Sequence, residues 1–226
     1  MSGPHESTDA PDLSSVPLFP LPGVVLFPRA VLPLHIFEER YKQMTVDALG
    51  GSRLIAMALL LPGWEKDYYG KPALHPVVCV GEILTHESLP EGKYNFLLRG
   101  VTRASIVREF GNRPYRLAEL EPLVDVLPPD GLDAEAAKLA ALLEREEMMR
   151  VPGIEQFRQL AGGLVPVQDL ADLLAFHVLD DVAIKQTLLA ETDARARVRQ
   201  VIHGLELLRQ ALPPPRPRIP RNPSMN

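Results

Sequence analysis

Cysteine is almost missing from this chain: Cys79 stands alone, so an intramolecular disulfide framework is excluded. Its neighbours Val77, Val78 and Val80 make it read as a small core residue in a reducing, cytoplasmic setting. Aromatic residues are scarce at 6% of 226 residues. No apolar run approaches the roughly 18 residues a membrane-spanning helix needs. The first fourteen residues carry three acids, no Lys or Arg and no apolar stretch, which does not fit a signal or transit peptide. An excess of positive charge is also lacking. Residues 15–128 hold 12 basic and 12 acidic side chains, residues 129–212 hold 9 and 14, and the net charge is −5. Phosphate-backbone binding needs a cationic face, so nucleic acid is disfavoured as a partner.

Motifs of chemistry are equally sparse. The nearest approach to a phosphate-cradling G-x-x-x-x-G-K-[ST] loop is Gly63 to Gly70-Lys71, with the wrong spacing and Pro72 next. Neither G-x-G-x-x-G nor G-x-S-x-G occurs, so no cofactor and no catalytic residue is assigned. His75, Cys79 and His86 fall within twelve residues, yet no C-x-x-C or H-x-x-x-H pair accompanies them, and no metal is expected. His35 and His177 lie among apolar neighbours and read as structural. Glu144, Glu146 and Glu147, with Arg145 and Arg150, read as a solvated helix face. Arg99, Arg103, Arg108, Arg113 and Arg116 form the only basic-rich folded stretch, for which local ion pairs are the expectation.

What is present is a 46% hydrophobic content arranged in two regimes. Up to residue 128, short apolar runs alternate with Pro and Gly: Val16–Leu18, Val24–Leu26, Leu54–Leu61, Val77–Leu84, Tyr94–Val107 and Arg116–Val126. That pattern predicts an all-β barrel or sandwich, interrupted by one helix over Phe37–Leu49. Leu54–Leu61 is apolar throughout, which predicts a strand covered on both faces, and Gly100 invites a bulge. From residue 129 the apolar period becomes helical. Asp133 is placed as a helix cap, Leu170 to Val178 form one stripe, a short helix starts near Asp181, and a long one runs from about Asp193 to Leu212. The predicted organisation is a polar arm at 1–14, a β-rich barrel or sandwich at 15–128, a helical bundle at 129–212 and a Pro/Arg-rich tail at 213–226.

The segment from Leu61 to Lys71 holds the only tryptophan, Trp64, together with Tyr68 and Tyr69. Aromatic rings in a glycine-bounded loop supply contact area at low entropic cost, so these three are the candidate substrate-binding residues. The alternative, with Trp64 folded back as a lid on the barrel, stays open.

Several blocks resemble one family. Leu18-Phe19-Pro20-Leu21-Pro22, Val25-Leu26-Phe27-Pro28 and Leu32-Pro33-Leu34-His35-Ile36-Phe37-Glu38 with Arg40-Tyr41 are similar to the opening of the Lon protease N-terminal, substrate-binding domain. Val80-Gly81-Glu82-Ile83, Glu91-Gly92-Lys93 through Leu97-Leu98-Arg99-Gly100-Val101 with Arg103 and Ile106, and Lys185-Gln186 with Leu188-Leu189 follow in family order. Arg29 departs from it, standing where glycine is usual, as does Glu39, where proline often precedes Arg-Tyr. The resemblance implies an α+β fold, a PUA-like β-barrel of about six strands followed by a C-terminal helical bundle. It implies a peptidase S16 family member without the ATPase and Ser–Lys peptidase parts, hence not an enzyme. Unfolded or degron-bearing polypeptides and a separate protease are its implied partners, and a monomer or weak homo-oligomer is expected. RNA binding, found among PUA-like barrels, and an unrecognised hydrolase are the alternatives.

Overall fold

The computed structural model describes residues 11–67 and 70–213. The sequence expectations for an arm at 1–14 and a tail at 213–226 fall mostly outside that range, as do Tyr68 and Tyr69. Six strands precede most of the helices: β1 (Val16–Leu21), β2 (Val31–Ile36), β3 (Leu54–Leu59), β4 (Val77–Ser88), β5 (Tyr94–Phe110) and β6 (Arg116–Pro122), with helix α1 (Glu39–Leu49) between β2 and β3. They form one sheet in the order β2-β5-β4-β3-β1-β6. The long β5 pairs with β6 as well as with β4, so five strands close on themselves. One half of β5 serves this ring, and its other half carries β2 at residues 94–99.

Ring closure explains the two-sided burial of β3. Leu54, Ala56 and Ala58 point into the ring with Val16, Leu18, Val78, Val80, Ala104, Ala118 and Leu120. A five-stranded interior is narrow, and alanine at several of these positions fits that width. Ile55, Met57 and Leu59 face the opposite way, into a second core. That core is continuous from α1 (Tyr41, Met44, Ala48) to helical residues as distant as Leu139, Leu174 and Leu205.

The helices are α2 (Asp133–Leu143), α3 (Ile154–Leu160), α4 (Val167–Val178), α5 (Val182–Ala190) and α6 (Ala194–Ala211). Asp181 and Asp193 cap α5 and α6, accepting backbone N–H groups at 2.8–3.0 Å. Asp133 is not a cap: Leu132 occupies that position with no side-chain bond, and Asp133 is the first helical residue, where its charge suits the helix dipole. Val24–Leu26 is not a strand. Val25, Leu26 and Phe27 are instead an irregular plug, each under 5% exposed. β2 and α3 were not anticipated, because Pro33 interrupts the first run and Gly153 the approach to the second. Gly100 does open a bulge: Gly81 pairs with Gly100 while Val80 pairs with Thr102. Arg29, the departure from the family pattern, has φ +67°, the region that glycine enters without strain.

Candidate functional site

The stem of the aromatic loop is fixed by backbone bonds. Leu60 N–H donates to Leu21 O, Leu61 N–H to Ala73 O and His75 N–H to Leu59 O, at 2.9–3.1 Å. Trp64 opens a single helical turn, Trp64–Asp67, and is half-buried. The returning residues Gly70, Lys71 and Pro72 wall a cavity of about 410 Å³. Its other walls are the start of α1, with Glu38, Arg40 and Tyr41, and the β5–β6 turn from Glu109 to Arg116. Three segments distant in sequence thus meet around one hollow.

Its framework is held by ion pairs and buried phenols. Arg116 forks onto both carboxylate oxygens of Glu109 at 2.7 and 2.5 Å and donates to Pro72 O at 2.7 Å, tying the turn to the loop. Tyr115, 5% exposed, donates to Asp47 of α1 at 2.5 Å, and Arg113 pairs with the same carboxylate. Burial, followed by the bond to Asp47, pushes the Tyr115 phenol up to about 12, so it remains a donor at neutral pH. The same bond, more than any other cause, holds Asp47 below its ordinary value. Tyr41 packs on Phe19 with ring centroids 4.5 Å apart, and Arg40 lies 4.6 Å over its ring. Most charges lining the cavity are engaged in ion pairs, and its surface is polar and apolar in about equal measure, the apolar part coming from Pro20, Tyr41, Leu60, Pro72, Phe110 and Pro114.

Cys79 is fully buried in the core, and burial raises its thiol pKa. Among the described residues no three His, Cys, Asp or Glu side chains gather for a metal. Glu144 and Glu147 are paired, but with Arg158 and Arg209 and not with Arg145 and Arg150. Arg99, Arg108, Arg113 and Arg116 pair with Glu82, Glu119, Asp47 and Glu109. Arg103 differs from them. It is 4% exposed and, with Arg197 at 0%, clasps Asp172 at 2%, at 2.5 and 3.1 Å, while Asp125 contacts both guanidiniums. Sequence reasoning missed this cluster, although Arg197 lies one turn from both Ala194 and Val201 on the apolar face of α6.

His177 packs against Phe157 and Phe176 with centroids 5.7 and 4.7 Å away. Burial, then the nearby Lys185 charge, lowers its pKa below the ordinary 6.5. Between the two values the unfolded chain binds more protons than the folded one, so stability rises with pH through that window and is lost as pH falls. His177→Gln is therefore expected to flatten the difference between urea midpoints measured at pH 5 and pH 7. An unchanged difference refutes this.

The family model of the ATP-dependent protease La (LON) substrate-binding domain matches residues 15–206. This chain belongs to that family. The Lon protease of Desulfosudis oleivorans is 26% identical over 205 residues, 86% of this chain, and Lon protease 2 of Sorangium cellulosum is 31% identical over 211 residues, 88% of this chain. The chain spans only 24% and 26% of those proteases, about a quarter of their length. The N-terminal domain of a Mycobacterium avium complex Lon protease superposes with TM-score 0.68 at 20% identity, covering 85% of this chain and 98% of that one. A Lon N-terminal domain protein from Xanthomonas campestris gives TM-score 0.59 at 25% identity, covering 84% and 97%. This Lon-type domain therefore has the expected α+β fold and strand count. No helix of its described residues is long and apolar enough to cross a membrane.

Proposed function

We propose that this Lon-type domain captures unfolded or degron-bearing polypeptide segments in the cytoplasm and performs no hydrolysis itself. Its ligands enter at the cavity between α1, the β5–β6 turn and the Trp64 loop, and a separate protease receives them. The observation that carries this reading is the cavity itself: about 410 Å³, walled by the return of an aromatic loop, with its lining charges engaged in pairs. A hollow with apolar and polar walls side by side suits an extended chain, which brings both side chains and backbone groups to it. RNA binding is less well supported, because four of the five arginines between 99 and 116 are engaged by surface carboxylates and the fifth is buried.

Replacing Trp64, Tyr68 and Tyr69 together by alanine tests the site. The expected result is at least a tenfold loss of affinity for a permanently unfolded polypeptide, with the melting temperature shifted by only a few degrees. Unaltered binding with an unaltered melt removes the loop from the site. A loss of stability of several kcal/mol, as for a buried Trp→Ala change at about 3–5, marks it as core.

A further inference from the structure

β2 ends the sheet: β5 is its only strand partner among the described residues. Which of its backbone groups remain open follows from the ladder. Val31 is opposite Arg99, and the register continues to Ala30 and Gly100, where Gly100 N–H donates to Ala30 O at 2.8 Å. Antiparallel pairs alternate between bonded and non-bonded, so Leu32, Leu34 and Ile36 also turn their N–H and C=O toward β5. Val31, Pro33 and His35 turn theirs to the open edge. The side chains of all three are exposed. Among the described residues no backbone or side-chain group bonds to the main chain of these three. The edge therefore offers the carbonyls of Val31, Pro33 and His35 and the N–H groups of Val31 and His35, with a gap at Pro33. Exposed Phe37 and Leu97 flank it.

From this edge the geometry points to a second contact for polypeptide substrate: an extended segment adds as a strand beside β2, read through its backbone at Val31 and His35. This rests on the polypeptide-capture reading and adds a sequence-independent grip to it. A second copy of the chain is disfavoured as the occupant on two counts. The strip is six residues, about 20 Å long and one strand spacing of about 5 Å deep, far short of the roughly 800 Å² per partner of a stable interface. Self-pairing would also bring two prolines to the seam, losing two donors where a foreign strand meets only one loss.

The test uses the full chain and reduced, carboxymethylated lactalbumin as the unfolded probe, with binding read by fluorescence anisotropy. His35→Pro removes an outward donor and leaves the backbone ladder to β5 intact; it loses the side-chain bond to Asn95 at 2.7 Å just as His35→Ala does, so it is expected to melt like His35→Ala and to bind the probe about 3–10-fold more weakly than the wild type, the effect of one backbone hydrogen bond. His35→Ala keeps the N–H and is expected to bind like the wild type, whereas Pro33→Val supplies the missing donor and is expected to bind about 3–10-fold more tightly. Wild-type affinity in a well-folded His35→Pro overturns the proposal, as does an affinity loss in His35→Ala equal to that in His35→Pro. If His35→Pro fails to fold, Pro33→Val decides, and unchanged affinity in it overturns the proposal. A wild-type dimer that His35→Pro dissociates makes a second copy the occupant and also overturns it. Probe binding lost in the Trp64 loop variant but kept in His35→Pro sinks only the edge, while no binding by the wild type sinks the capture reading as well.

Discussion

Asp172→Ala is expected to destabilise the chain by about 3–5 kcal/mol, because removing one partner of a buried ion cluster strands the opposite charges away from water. Here two are stranded at once: Arg103 and Arg197, at 4% and 0% exposure, lose the carboxylate they share, and Asp125 alone remains to face both. Burial pushes the Asp172 carboxyl up, while the adjacent guanidiniums pull it down. The residues come from β5, the segment after β6, α4 and α6, so the cluster fastens the ring to the helices. Arg103 also donates to Leu189 O at 3.1 Å and Arg197 to Glu191 O at 2.7 Å, which anchors the end of α5. For a domain of this size the melting temperature should fall by roughly 6–20 °C. A fall of less than 3 °C shows that water or neighbouring groups neutralise the stranded arginines.

Gly100→Ala should be at least as damaging through packing alone, costing about 3 kcal/mol or more. A Cβ at this position would stand 2.0 Å from the Phe27 carbonyl oxygen and 2.7 Å from its carbonyl carbon. These are backbone atoms, so no rotamer change relieves the clash. Moving the plug instead breaks the bonds from Arg29 N–H to Gly100 O and from Gly100 N–H to Ala30 O, both 2.8 Å, and lifts Leu26 and Phe27 out of the core. The expected outcome is insoluble protein or a melt lowered by more than 6 °C. Gly81→Ala provides a graded comparison, since its Cβ would meet the Leu98 side chain at 2.6 Å, and a side chain can shift. Equal melting of wild type and Gly100→Ala contradicts the close approach.

The local chemistry was legible wherever one residue type decides the outcome. Asp181 and Asp193 announced helix starts because their side chains cap the N–H groups of the following turn. The stripe Val198, Val201, Leu205 announced α6, and the unbroken apolar run of β3 announced two covered faces. Val24–Leu26 misled because apolar character records burial but not strand geometry. β2 escaped because Pro33 breaks its pattern, although on an edge strand a missing outward N–H costs the ladder nothing.

Residue types and spacing by themselves determined the α+β class, the β-rich half followed by helices, the family resemblance and the lack of recognisable catalytic motifs, since each of these depends on the order of residues along the chain. Tertiary structure alone decided the rest. The ring closes because β5 is long enough to pair with three strands, and no local pattern encodes which strands those are. The cavity exists because α1, the β5–β6 turn and the loop after β3 converge from more than 70 residues of chain. Arg103 and Asp172 are 69 residues apart, and a charge in an apolar stripe shows that a partner is needed without naming it. Burial makes that partner obligatory, and only the packing of helices on the ring supplies it.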